Sequence, residues 1–118
     1  MKKITLAVVA AFALALLSPG FASAATFTGE IMDSGCAQMG SHAKMMKAHS
    51  TIKSAKECTL GCVKAGAKFV LYNPATKTVY QLDDQTKPEA FAGEKVRVTG
   101  TYDKATKTIH VEKITHRS

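Results

Sequence analysis

The stretch Lys95-Val96-Arg97-Val98-Thr99-Gly100-Thr101-Tyr102 decides the fold class. Successive side chains on extended backbone point to opposite faces. Val96, Val98, Gly100 and Tyr102 therefore share one face, and Lys95, Arg97, Thr99 and Thr101 the other, which is the pattern of a half-buried strand. Downstream, Asp103-Lys104-Ala105-Thr106 forms a turn and Thr108 to Ile114 a partner strand with Ile109 and Val111 inward, completing a hairpin. Upstream, Lys68 to Tyr72 and Thr78 to Leu82 flank Asn73-Pro74-Ala75-Thr76. Asn first and Pro second suit a type I turn, which predicts another hairpin. The two connections echo each other in sequence, and one turn chemistry used twice accounts for the echo. Between the hairpins, Thr86 and Glu89 form a capping box, with Pro88 in the first turn and Gly93 as the stop, predicting a short helix. Residues 26 to 34 add a further strand, with Phe27, Gly29 and Ile31 alternating against Thr26, Thr28 and Glu30.

Residues 35 to 66 lose the alternation and hold all three cysteines, Cys36, Cys58 and Cys62. Ser54 and Glu57 form a capping box and Gly66 is a stop, so a helix of about three turns is expected between them. At 100° per residue Ala55, Cys58, Cys62 and Ala65 fall on one narrow face. Residues 36 to 49 read as a weaker helix interrupted by Gly40, with Ser41 available to cap a shorter version. Cys36, Met39, Ala43 and Met46 would share its stripe, with His42 and His49 at the margin. The order is then strand, helical insert, strand, strand, short helix, strand, strand. The expectation is a mainly β (α+β) domain, a small five-stranded barrel with a Cys/His/Met-rich insert after the first strand.

The start of the chain reads differently. Lys2 and Lys3 precede an apolar run from Ile4 to Leu17, a Ser18-Pro19-Gly20 break and the small residues Ala22-Ser23-Ala24. This is the pattern of a signal peptide over residues 1–24, and the run is short for a membrane span. A single domain over 25–118 remains, expected in the periplasm or outside the cell, with no membrane span after removal of the signal. Loss of Lys2 and Lys3 lowers the net charge from +7 to +5. In an exported protein that charge points to solvation or an anionic surface as partner, in preference to nucleic acid.

Gly29-Glu30-Ile31, Phe69-Val70-Leu71, Val79-Tyr80-Gln81-Leu82, Phe91-Ala92-Gly93 and Val96 to Gly100 with Ile109-His110-Val111 resemble the small periplasmic bacterial OB-fold proteins. Asp33-Ser34-Gly35-Cys36, His42, Cys58-Thr59-Leu60-Gly61-Cys62 and Gly66-Ala67-Lys68-Phe69 resemble a family of small secreted bacterial proteins of unknown function. The resemblance covers nearly all of the chain after residue 24. It implies an OB-fold-like barrel and an exported location, and brings no known reaction. The segment between Cys36 and Cys58 is longer here, and richer in Met and His, than in that family.

Three cysteines cannot all pair within one chain. Cys58 and Cys62 lie one helical turn apart, so a bond between them is awkward, because their β-carbons diverge. Cys36 bridged to one of them is easier and would contribute about 3 kcal/mol through loop closure. One reading is thus a disulfide-stapled module with one spare thiol. Another is a metal site: Cys36, His42, Cys58 and Cys62 make a Cys3His set suited to tetrahedral zinc. Met39, Met46 and His49 are possible extra ligands, and thioethers would shift the preference to Cu(I). In either case the sulfur of Cys36 is expected near another cysteine, with the Cys58–Cys62 face closing one end of the barrel. A thiol-redox protein using the three cysteines is a third reading. The spacing C-x3-C is not the C-x2-C of thioredoxin-like enzymes, and no haem-attachment motif is present. No Ser-His-Asp arrangement stands out, and so small a barrel leaves little room for a substrate cleft, so the expectation is a non-catalytic binding module. The basic face of Lys95 and Arg97 carries no aromatic residue, Tyr102 falls on the core side, and Tyr80 alone is left to stack bases, which argues against nucleic acid.

Overall fold

A computed structural model describes residues 23–117 of the protein. The expected signal peptide, residues 1–24, lies outside the described residues apart from Ser23 and Ala24. Five strands follow: β1 Ala25–Asp33, β2 Phe69–Asn73, β3 Thr78–Leu82, β4 Lys95–Asp103 and β5 Thr108–His116. They close on themselves in the order β1-β2-β3-β5-β4, with β4 returning to β1. β3 and β5 pair in parallel and every other neighbouring pair is antiparallel. The expected mainly β, five-stranded OB-like closure is therefore present, with the helical insert between β1 and β2.

Alternation builds the barrel interior. Ile31, Phe69, Leu71, Leu82, Val96, Val98, Ile109 and Ile114 point inward and are buried. Each contributes about 1.5–3 kcal/mol by leaving water. A bulge opposite Thr99 and Gly100 adds one residue to β5, so the inward positions step from Val111 to Ile114. Phe27, Tyr80 and Tyr102 pack against one another with centroids 5.3–5.7 Å apart, Tyr80 and Tyr102 edge to face and Phe27 tilted against both.

The two echoing connections are also alike in geometry. Asn73 and Asp103 each accept the backbone N–H two residues on, from Ala75 and Ala105, and Lys77 and Lys107 both close their turns at φ near +55°. The short helix before β4 is a 3-10 turn, Lys87–Phe91, and Thr86 makes no side-chain cap. Asp84 takes that role, accepting from the backbone of Thr86 and Lys87.

The insert folds as α1 Ser34–Met39, α2 Ala43–Ala48 and α3 Ala55–Lys64. The single helix expected over 36–49 does not form. Gly40 adopts φ +83° and ends α1, so the chain turns before α2 begins. The boundaries of α3 agree with its capping box: Ser54 Oγ accepts from the Glu57 N–H at 3.1 Å. Met32, Val70 and Tyr72 lie on the outer face of β1 and β2 and are covered by Cys36, Ala37 and Cys58, with Met45, Met46, Ile52 and Cys62 around them. This second core is separate from the barrel interior. α3 belongs to both: Leu60 and Val63 pack against the barrel core, while Cys58 and Cys62 belong to the outer one.

Candidate functional site

The last residue of β1 begins the site. Asp33 is paired with Phe69 across the ladder, and its extended backbone also makes it the N-cap of α1. Its Oδ2 accepts the Cys36 N–H at 2.9 Å. That bond fixes the first turn of α1 and delivers the Cys36 side chain to the outer face of the sheet. Cys58, in the first turn of α3, meets it there: the two sulfurs are 3.6 Å apart and both residues are fully buried. His42, at the start of α2, comes from the third side. Its Nε2 lies 2.6 Å from Glu30 Oε2, on the outward side of β1.

Ligand atoms of Asp33, Cys36, His42 and Cys58 all lie within 4.8 Å of one another. A carboxylate only accepts, so in the neutral imidazole the Glu30 contact places the proton on Nε2 and leaves Nδ1 with a free lone pair. His42 Nδ1 and Asp33 Oδ1 are both buried without a hydrogen-bond partner. Asp33 and His42 are 1% and 9% exposed. Buried polar atoms are normally satisfied, because leaving one unpaired costs about 1–3 kcal/mol. Two such atoms beside two thiols are what a cation would satisfy. A tetrahedral zinc with Zn–S bonds near 2.3 Å holds two sulfurs about 3.8 Å apart, close to the separation found here.

Burial, reinforced by hydrogen bonds to Cys58 and Asp33, pushes the Cys36 thiol far above its ordinary range. Burial, then the nearby charges of Asp33 and Cys58, push the Cys62 thiol up to about 11. A cation among these groups would reverse that tendency by favouring the thiolates.

Of the residues expected from sequence, Cys36, His42 and Cys58 come together. Cys62 packs beside the outer core, half-buried, and is not among the four mutually close residues. Met39 is 46% exposed and His49 is an exposed C-cap of α2. Met46 is half-buried against the outer core. The helix whose stripe would have carried Met39 and Met46, with His42 and His49 at its margin, is broken by the turn at Gly40. Asp33 and Glu30 were missed as site residues. The signal that this face is covered was the unbroken apolar run Phe69-Val70-Leu71-Tyr72, which marks a strand packed on both faces.

The fold and cluster define a small mainly β domain with a buried Asp/Cys/His/Cys constellation under a helical insert. Residues 61–117, just under half of the chain, match a family model described as Protein of unknown function (DUF5818). The matched span takes in Cys62 and strands β2 to β5, and does not include Asp33, Cys36, His42 or Cys58. No curated protein and no solved structure matches the chain. Among the described residues, no helix is long and apolar enough to cross a membrane.

Proposed function

We propose that this is an exported, non-catalytic binding module whose insert holds one Zn(II) ion through Asp33, Cys36, His42 and Cys58. The observation that carries the reading is a pair of buried thiols gathered within 4.8 Å of ligand atoms of Asp33 and His42, two residues that each keep a buried polar atom without a hydrogen-bond partner. Two sulfurs, one imidazole nitrogen and one carboxylate oxygen complete a closed tetrahedral set. The carboxylate favours Zn(II) over Cu(I), which prefers thioethers and thiolates, and exposed Met39 faces solvent instead of the cluster. Glu30 acts behind His42, fixing its tautomer and ring direction as carboxylates commonly do for zinc-bound histidines. Four protein ligands leave no open position for substrate, so the ion ties the insert to the sheet and performs no reaction.

The test is metal uptake by the reduced protein. About one equivalent of Zn(II) is expected, and His42→Ala should weaken its retention against a chelator. Absence of uptake, or unchanged retention in His42→Ala, refutes the assignment.

A further inference from the structure

The zinc reading uses two of the three cysteines and leaves Cys62 without a role. The three differ in access. Cys36 and Cys58 are fully buried and cannot meet a solvent oxidant directly, whereas Cys62 is half-buried. Cys62 also lies four residues after Cys58 on α3, which puts their side chains on neighbouring positions of one helix face. Cys58 in turn touches Cys36. The sulfurs thus run in sequence from the surface inward: Cys62, Cys58, Cys36.

We propose that this order is a thiol–disulfide exchange path, in which Cys62 takes up oxidising equivalents from a small-molecule disulfide and passes them to a buried Cys36–Cys58 pair. Deprotonated Cys62 attacks the external disulfide RSSR, forming a mixed disulfide and releasing one RS⁻. The Cys58 thiolate attacks the Cys62 sulfur and releases the second RS⁻. A Cys58–Cys62 bond is strained, because β-carbons one helical turn apart are about 5–6 Å from each other and a disulfide holds them at about 3.5–4.5 Å. The Cys36 thiolate then attacks the Cys58 sulfur, and Cys62 leaves as a thiolate. Two protein thiols are oxidised to one disulfide, the external disulfide is reduced to two RSH, and the protons lost by Cys36 and Cys58 end on those products. Cys62 is the entry point by access, since the other two sulfurs are fully buried, even though burial makes its thiol weakly acidic.

One consequence rests on the zinc reading. Oxidation removes two of the four ligands, so the ion is released as the pair closes. The exchange path itself requires no metal.

The experiment treats the reduced protein with glutathione disulfide, quenches with an alkylating agent at intervals and maps the bonds by mass spectrometry. The expected product is Cys36–Cys58 with Cys62 free, and Cys62→Ser should slow its appearance at least about tenfold, since the buried pair loses its accessible partner. Zinc release, followed with a chromogenic chelator, should keep pace with the disulfide. A final Cys58–Cys62 bond, no intramolecular bond, or a rate within twofold of wild type in Cys62→Ser overturns the proposal. Mapping of the wild type reads the pairing without any variant. The two readings fail separately: exchange without zinc uptake removes the metal assignment alone, and zinc uptake without a Cys36–Cys58 bond removes the exchange path alone.

Discussion

Asp33 does two jobs with two oxygens, and substitution can separate them. Oδ2 caps α1 by accepting the Cys36 N–H, and Oδ1, buried and unpaired, is the proposed ligand atom. Asp33→Ala removes both functions. The cap is worth about 1 kcal/mol, and a buried Cys36 N–H left without an acceptor adds to the loss, so about 1–2 kcal/mol of metal-free stability should go. Asn caps as well as Asp, so Asp33→Asn should keep the metal-free protein within about 0.5 kcal/mol of wild type. Its neutral amide is a poor zinc ligand, and about a tenfold loss of affinity, or 1.4 kcal/mol of zinc-linked stability, is the minimum expected. For a domain of this size 1 kcal/mol moves Tm by about 4–8 °C. The assay is thermal unfolding of the reduced protein by circular dichroism, in chelator and in zinc at a fixed excess. In chelator, Asp33→Asn should melt with wild type and Asp33→Ala about 5–15 °C lower. Zinc at about a hundred times Kd should stabilise wild type by about 2.7 kcal/mol. The gain should shrink by at least about 6 °C in Asp33→Asn. If Asp33→Asn gains as much from zinc as wild type, Asp33 is not a ligand and the four-residue site is wrong.

Two further outcomes follow from the scaffold. Gly93 adopts φ +76°, and a β-carbon there would lie 2.5 Å from the Lys56 backbone nitrogen, so Gly93→Ala should displace the first turn of α3 and cost about 2–4 kcal/mol; a Tm change under 3 °C would contradict this. The Val111 N–H, then His110, hold the Asp83 carboxyl below its usual range, and Lys87 and Thr86 hold Asp84 at about 2. Folded values below the unfolded ones mean that both carboxylates stabilise the fold above about pH 4 and lose that effect as pH falls towards 2. The Asp83→Asn/Asp84→Asn double variant should therefore lose less stability than wild type between pH 4 and 2 in urea titrations, and parallel curves would show the two groups to be unlinked from folding.

The barrel was legible because its strands repeat with period two and its turns carry Asn, Asp and Pro at positions with a fixed meaning. α3 was legible through Ser54 and Glu57. The site was legible in part: Cys36, His42 and Cys58 stood out by residue type. Asp33 and Glu30 did not, because a polar residue on a strand reads by default as solvent-facing. Whether an outer face is covered depends on where a distant insert packs, and local alternation holds no record of that. The aligned Met/His stripe failed because a helical wheel assumes continuous helix, and one left-handed glycine rotates everything after it. The helix before β4 came out as a 3-10 turn because Asp84, two residues before Thr86, binds the backbone that the capping box was expected to hold.

The position of the insert bears on how the chain reaches its fold. β1 cannot pair with β2 until residues 34–68 have been looped back, since Asp33 lies opposite Phe69. Closing such a loop costs about 3 kcal/mol in its length-dependent part, and contacts this distant in sequence make for slow folding. An ion held between Asp33 and Cys58 would shorten the segment still to be closed to the residues between Cys58 and Phe69. That lowers the closure cost by about 1 kcal/mol, roughly a fivefold gain in rate if closure limits folding. The edge of β1 would then wait less time unpaired, the interval in which it is open to pairing with another molecule.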